Sequence, residues 1–151
     1  MDSDWNTCFS GGIPRGRIVE IYGPESSGKT SIALMAIAQE QKYQAQQEEP
    51  KLCAYFDNEN SFNPHWAELL GVDVDNMVYS KESEGEMTFD MIEALAKTGR
   101  FSIIVIDSLA GLAPLPELQS DMSQQHMGLA GKMNSKAMRK YCATLSKNEC
   151  T

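Results

Sequence analysis

The sequence predicts an α/β fold built on a mostly parallel sheet with flanking helices. Three observations carry this reading. Strand-like apolar runs alternate with helix-forming runs along the chain. Most of those apolar runs are continuous rather than alternating, as strands buried on both faces of a sheet require. The first of them leads into Gly-Pro-Glu-Ser-Ser-Gly-Lys-Thr (23–30), a full Gly-x-x-x-x-Gly-Lys-[Ser/Thr] loop that opens a helix.

The elements follow in order. Ile18–Tyr22 reads as a buried strand, and Thr30 to about Lys42 as the helix after the loop. Gln39–Pro50 is rich in Gln, Glu and Lys, and is expected to be an extended helix end followed by a solvated loop. Leu52–Phe56 is the second strand. Pro64–Leu70 is a short helix, with Asn63 as N-cap, Pro64 in the first turn and Gly71 as a stop. Met77–Tyr79 is a third strand, Thr88–Thr98 a helix closed by Gly99, and Ser102–Ile106 a fourth strand. Ser108–Gln125 contains two prolines and no clear period, so a long loop is expected. In 128–147, Ala130, Met133, Ala137, Met138, Tyr141 and Leu145 form an apolar stripe at helical spacing.

Bulk properties set limits. The 151 residues fit one domain. No apolar run reaches the ~18 residues of a membrane span. The acidic, polar start resembles neither a signal nor a transit peptide. Cysteines 8, 53, 142 and 150 form no Cys-x-x-Cys pair, so free thiols in a reducing cytoplasm are expected. Net charge is −8, which excludes a general nucleic-acid-coating surface. The charge is uneven: residues 1–121 carry 8 basic and 20 acidic side chains, and residues 122–151 carry 5 basic and 1 acidic. One electropositive segment therefore sits on an acidic body.

The motifs point to phosphate chemistry. In 23–30, glycines let the backbone wrap a phosphate, and the helix start adds partial positive charge. Gly23, Pro24, Glu25, Ser26, Ser27, Gly28, Lys29 and Thr30 are the expected nucleoside-triphosphate contacts, with Lys29 at the β/γ-phosphates and Thr30 on Mg²⁺. The strand Ile103–Ile106 ends in Asp107, which could serve the same Mg²⁺. Leu52–Phe56 runs into Asp57 and Glu59. Glu59 could orient an attacking water, or both acids could be solvated turn carboxylates. Trp66 could be a core residue or a flat surface for an adenine ring. Lys132, Lys136, Arg139 and Lys140 share one side of the last helix, either as a solvated face or as phosphate-backbone contacts. His65 and His126 show no metal-ligand partners.

Together these stretches resemble the RecA recombinase family. The likeness rests on residues 11–30, on Leu-Gly-Val-Asp-Val-Asp-Asn (70–76), on Ile-Val-Ile-Asp-Ser-Leu-Ala (104–110), and on His-Met-Gly-Leu-Ala (126–130) with Ala-Met-Arg-Lys (137–140). They keep the family's order over about residues 11–150. The resemblance implies a RecA-like P-loop NTPase core and a DNA-dependent ATPase using ATP and Mg²⁺. Such a protein forms a helical filament with itself on single-stranded DNA, pairs that strand with homologous double-stranded DNA, and stimulates repressor self-cleavage in the cytoplasm, with no membrane partner. By position, Glu59 is the implied catalytic carboxylate beside Lys29, Asp107 serves the metal with Thr30, and Trp66 stacks on adenine. The loop from about Pro114 to Met127 matches the first DNA-binding loop. Met127, Gly128, Lys132, Ser135 and Arg139 are the implied DNA contacts.

The chain also departs from the family. Lys132 stands where the family usually has Arg, which turns a bidentate contact into a point charge. Gln39–Pro50 is several residues longer than usual, and Met1–Ser10 match the lead-in poorly. Residues 1–151 are therefore expected to be the N-terminal half of the ATP-binding core, without the N-terminal polymerisation segment and the later core strands. Two other readings are an inactive or binding-only nucleotide module and a small-molecule phosphotransferase. The second leaves the recombinase-like motifs unexplained.

Overall fold

A computed structural model of the chain describes residues 12–118 and 128–151. Its centre is a parallel sheet of three strands, β1 (Leu52–Asp57), β2 (Met77–Ser80) and β3 (Phe101–Asp107), in the order β2-β1-β3. The helices are α1 (Lys29–Gln44), α2 (Pro64–Leu69), α3 (Gly85–Lys97), α4 (Leu115–Leu118) and α5 (Leu129–Asn148), with a 3₁₀ turn at Leu109–Gly111. This is a small parallel α/β sheet with flanking helices, the fold class expected from the sequence. Among the described residues no helix is long and apolar enough to cross a membrane.

The strand order distributes the helices. The chain moves one way across the sheet from β1 to β2, then back past β1 to β3. Right-handed crossovers in opposite directions place their helices on opposite faces. The α2 residue Ala67 accordingly packs with Leu34, Ile37 and Ala38 of α1 against Cys53, Tyr55 and Met77. Phe89, Ile92 and Ala96 of α3 pack with Ala137, Tyr141 and Leu145 of α5 against Ala54 and Phe56. Successive β1 residues thus feed alternate cores, as the pleat requires. All of β1 from Cys53 onward is buried, so the run reads as continuously apolar until its final acid.

Local chemistry sets the element ends. The Asn63 side chain accepts from Trp66 N at 3.1 Å, and Pro64 sits in the first turn of α2. Gly71 and Gly99 adopt φ of +94° and +69° just past α2 and α3, the left-handed region that glycine enters without strain. Cys53, Cys142 and Cys150 are free thiols, whereas Cys8 and His126 lie outside the described residues. Burial pushes the Cys53 thiol up to about 11 and the Cys150 thiol up to about 12, so both stay protonated.

One expected strand does not form. Ile18–Tyr22 is irregular, with Ile18 41% and Tyr22 87% exposed. The far edge of β3 is already engaged. Thr151 N donates to Ser102 O at 2.9 Å and Ile104 N donates to Thr151 O at 2.7 Å, a parallel ladder step. Thr151 Oγ1 also donates to Pro14 O at 3.1 Å. The 18–22 segment makes no ladder with any of the three strands among the described residues.

An ion pair holds that N-terminal region instead. The Arg15 guanidinium donates to both Glu40 oxygens at 2.7 Å and lies 4.6 Å from the centre of the Tyr43 ring. Gln44 Nε2 adds a third bond to Glu40 at 2.6 Å. The helix end expected at the start of Gln39–Pro50 forms as far as Gln44, and it buries Glu40 and Gln44. Arg15→Ala leaves Glu40 buried without its cation. Because Arg15 is itself partly exposed, a loss of about 1–2 kcal/mol is expected. Urea unfolding at neutral pH measures it, and an unchanged midpoint would show that this pair does not anchor the segment.

Candidate functional site

The phosphate loop curls through two residues in the left-handed region, Ser26 (φ 57°) and Gly28 (φ 88°). A side chain on Gly28 would be strained whatever the space around it. Gly28 O accepts Ile32 N at 2.9 Å, which starts α1 directly after the loop. Lys29 Nζ donates to Pro24 O at 2.9 Å and to Gly23 O at 3.2 Å. These bonds hold its charge against the ring of backbone that the octet forms.

The end of β3 meets this loop. Thr30 Oγ1 donates to Asp107 Oδ2 at 2.7 Å, and the Tyr55 hydroxyl donates to the same oxygen at 2.7 Å. Burial pushes the Tyr55 hydroxyl well above the ordinary tyrosine range, and its bond to Asp107 pushes the same way. Tyr55 is thus a fixed donor.

The end of β1 is built in parallel. Asp57 and Asp107 are register partners, so the two carboxylates end the sheet together. Asp57 is fully buried. It accepts Ser61 N at 3.0 Å, Phe62 N at 3.1 Å and the Tyr79 hydroxyl at 2.8 Å. Burial alone would raise its pKa, but these backbone and hydroxyl bonds outweigh it and the net shift is downward. The bonds draw the 58–63 turn back over the strand end. Glu59, exposed on that turn, accepts from Ser108 Oγ, one residue past Asp107. Trp66 is 46% exposed, and its indole Nε1 lies 3.4 Å from Ser31 Oγ at the start of α1. A core role for Trp66 is therefore excluded. Its ring stands open beside the phosphate loop.

Lys29, Thr30, Asp107, Glu59 and Trp66 are thus brought to one end of the sheet. Gly128, Lys132, Ser135 and Arg139 lie elsewhere, exposed at helical spacing along the start and body of α5. Met127 falls outside the described residues, as does most of the loop leading to it. Lys140 is not part of a free cationic stripe, because it pairs with Glu93 of α3 at 2.6 Å. Glu93 also holds Lys97 at 2.8 Å. Among the described residues no cluster of His, Cys, Asp and Glu could hold a metal by side chains of those types alone.

Known proteins are similar to this chain over most of its length. A model of the RecA N-terminal domain matches residues 5–151. The chain belongs to the RecA family. It is 47% identical over 141 residues to Protein RecA of Mesomycoplasma hyopneumoniae strain J, covering 93% of this chain and 40% of that one. It is 45% identical over 140 residues to Protein RecA of Clostridioides difficile strain 630, covering 93% of this chain and 38% of that one. The chain thus spans about two-fifths of the length of these RecA relatives.

Sequence reasoning missed three groups at this RecA-like site. Tyr55 and Tyr79 read as ordinary strand residues, because only the register shows that their hydroxyls reach carboxylates. Asp57 was open to reading as a solvated turn acid, but it is a buried anchor. The available signal was its place at the end of a fully apolar run, where an unpaired charge is costly. Asp57→Asn keeps one acceptor oxygen but must turn its NH₂ toward either Ser61 N or the Phe62 N and Tyr79 hydroxyl pair. A loss of about 1–3 kcal/mol at neutral pH is expected. Because the folded pKa is lowered, the carboxylate's contribution is present above the ordinary Asp range. It disappears as pH falls through the lower folded value. The gap between wild type and Asp57→Asn should therefore narrow in acid, measured by urea unfolding from neutral pH to about pH 3. A gap independent of pH would refute this role for the charge.

Proposed function

We propose that the chain is part of the ATP-binding core of a DNA-dependent ATPase that acts in homologous recombination and repair. One observation carries this reading: Thr30 of the phosphate-loop helix and Asp107 of β3 share a hydrogen bond beside Lys29, with Glu59 at the same strand ends. A hydroxyl and a carboxylate make an all-oxygen pair, the donor type that Mg²⁺ prefers. In this reading Gly23–Thr30 hold the triphosphate, Thr30 and Asp107 hold Mg²⁺, and the exposed Trp66 ring stacks on adenine. Bound Mg²⁺ would neutralise charge on the transferring phosphoryl group. Lys29 contributes a second positive charge there. Glu59 orients the attacking water and takes its proton, with Ser108 fixing its carboxylate.

Single-stranded DNA is the proposed partner of α5, through Met127, Gly128, Lys132, Ser135 and Arg139. Double-stranded DNA, further copies of the protein in a filament, and a repressor-type protein are partners proposed for the whole protein. Relatives named Protein RecA at 45–47% identity support this assignment. The proposed division of the chain is one core domain over 1–151. Nucleotide binding without turnover is a narrower reading, favoured by Ile18–Tyr22 lying outside the sheet just before the phosphate loop.

The deciding measurement is ATP turnover with and without single-stranded DNA. Lys29→Ala is expected to reduce ATP binding and turnover at least tenfold, by removing the charge at the β/γ-phosphates. Unchanged affinity and rate would refute the nucleotide site. DNA-stimulated turnover in wild type supports the coupled ATPase, and nucleotide binding without turnover supports the narrower reading. Arg139→Ala is expected to weaken single-stranded DNA binding and to reduce the salt-dependence slope by about 0.7, the loss of one phosphate contact. An identical slope in both proteins would place Arg139 away from the DNA.

A further inference from the structure

We propose that Tyr55 is a positioning residue for the metal-binding carboxylate: its buried hydroxyl locks Asp107 so that one oxygen is committed to protein donors and the other is kept for the cation. The inference rests on the Mg²⁺–nucleotide reading above and adds a residue that the phosphate-loop and strand-end motifs do not contain.

The geometry begins with the ring. Tyr55 is fully buried on the middle strand, abreast of Tyr79 on β2 and Val105 on β3. Its ring centre lies 5.2 Å from that of Phe62, which in turn lies 4.9 Å from that of Tyr79. Wedged in a close-packed core, this ring cannot swing without displacing its neighbours. Its hydroxyl is thus held at one point, 2.7 Å from Asp107 Oδ2.

Thr30 Oγ1 reaches that same oxygen at 2.7 Å. Both donors converge on Oδ2, and Oδ1 takes part in neither bond. The two bonds arrive from different elements, β1 and α1, so the carboxylate is fixed against rotation about its own axis. With Thr30 alone, the group could pivot about a single bond. Thr30 is also the hydroxyl proposed to hold the cation, and so is the less independent of the two anchors. Phenylalanine would fill the same core space as Tyr55. The hydroxyl is the part that needs a role, and a buried hydroxyl is costly unless its partner repays its desolvation.

A ring that only packs predicts a different result from a hydroxyl that positions. The test uses Tyr55→Phe with Mn²⁺ as the probe cation. Free Mn²⁺ is titrated by electron paramagnetic resonance in the presence of a non-hydrolysable ATP analogue. Affinity for the analogue is measured separately in EDTA. Positioning predicts that Mn²⁺ affinity falls roughly tenfold, while affinity in EDTA is unchanged. It also predicts that Tyr55→Phe has no further effect on Mn²⁺ affinity in an Asp107→Ala background, since the two residues act through one bond. Equal Mn²⁺ affinity in wild type and Tyr55→Phe would overturn the proposal. So would loss of analogue binding in EDTA alongside Mn²⁺, which would assign Tyr55 a structural role. A further loss in the Asp107→Ala background would overturn it as well. Wild-type chain that binds the analogue no better with Mn²⁺ than in EDTA would refute the metal-nucleotide reading itself.

Discussion

The structure depends on keeping two carboxylates at the end of an apolar sheet. Parallel pairing puts Asp57 and Asp107 side by side at the carboxyl ends of β1 and β3. Neither can be left without donors there, because a poorly solvated charge needs hydrogen bonds to offset its lost hydration. Asp57 satisfies this locally, by folding the next turn back onto itself through Ser61 N and Phe62 N. Asp107 satisfies it at long range, by drawing in Thr30 from the phosphate-loop helix and Tyr55 from the neighbouring strand. The second solution is the one that builds a site. It ties the Gly-rich loop and its helix to the strand that ends in an acid, over 77 residues of sequence.

Satisfying the acids also places what lies beyond them. The Asp57 turn carries Glu59 toward Ser108, and it delivers Phe62 between Tyr55 and Tyr79. Asn58 fastens the same turn, its backbone N–H donating to Asp107 O at 2.9 Å and its side chain to Glu82 O. Each bond that relieves a buried polar group therefore also fixes a group that could act on a ligand. Rigidity at this end follows from desolvation of the charges that the site needs.

Much of this was legible in the sequence because it follows from local pattern. The continuous apolar runs gave β1 and β3, Asn63-Pro64 and Gly71 gave the ends of α2, and the octet gave the loop and the start of α1. What escaped depends on which strands pair. Tyr55 and Tyr79 acquire meaning only when their register partners are known. Ile18–Tyr22 has the composition of a buried strand, yet a strand exists only where a neighbour offers a ladder. Among the described residues no strand pairs with it, and β3 makes one ladder step to Thr151. Trp66 could not be decided by pattern because aromatic residues suit a core and a binding face equally well. Its exposure removes the core reading, and its indole contact sets the ring beside Ser31 at the start of α1.

The sheet also separates the two charges of the molecule. Asp57 and Asp107 converge at the carboxyl end, where Asp107 meets Thr30 of α1. The exposed bases Lys132, Lys136 and Arg139 run along α5, which packs against the face opposite α1 and makes its only described ion pair through Lys140. A polyanion approaching the acidic body is therefore drawn to one helix, not to the carboxylates. Under the proposed function, a polymer of phosphates and a single triphosphate must bind the same small domain without competing. Placing one site at the carboxyl end of the sheet and the other on a helix that covers one face meets that requirement.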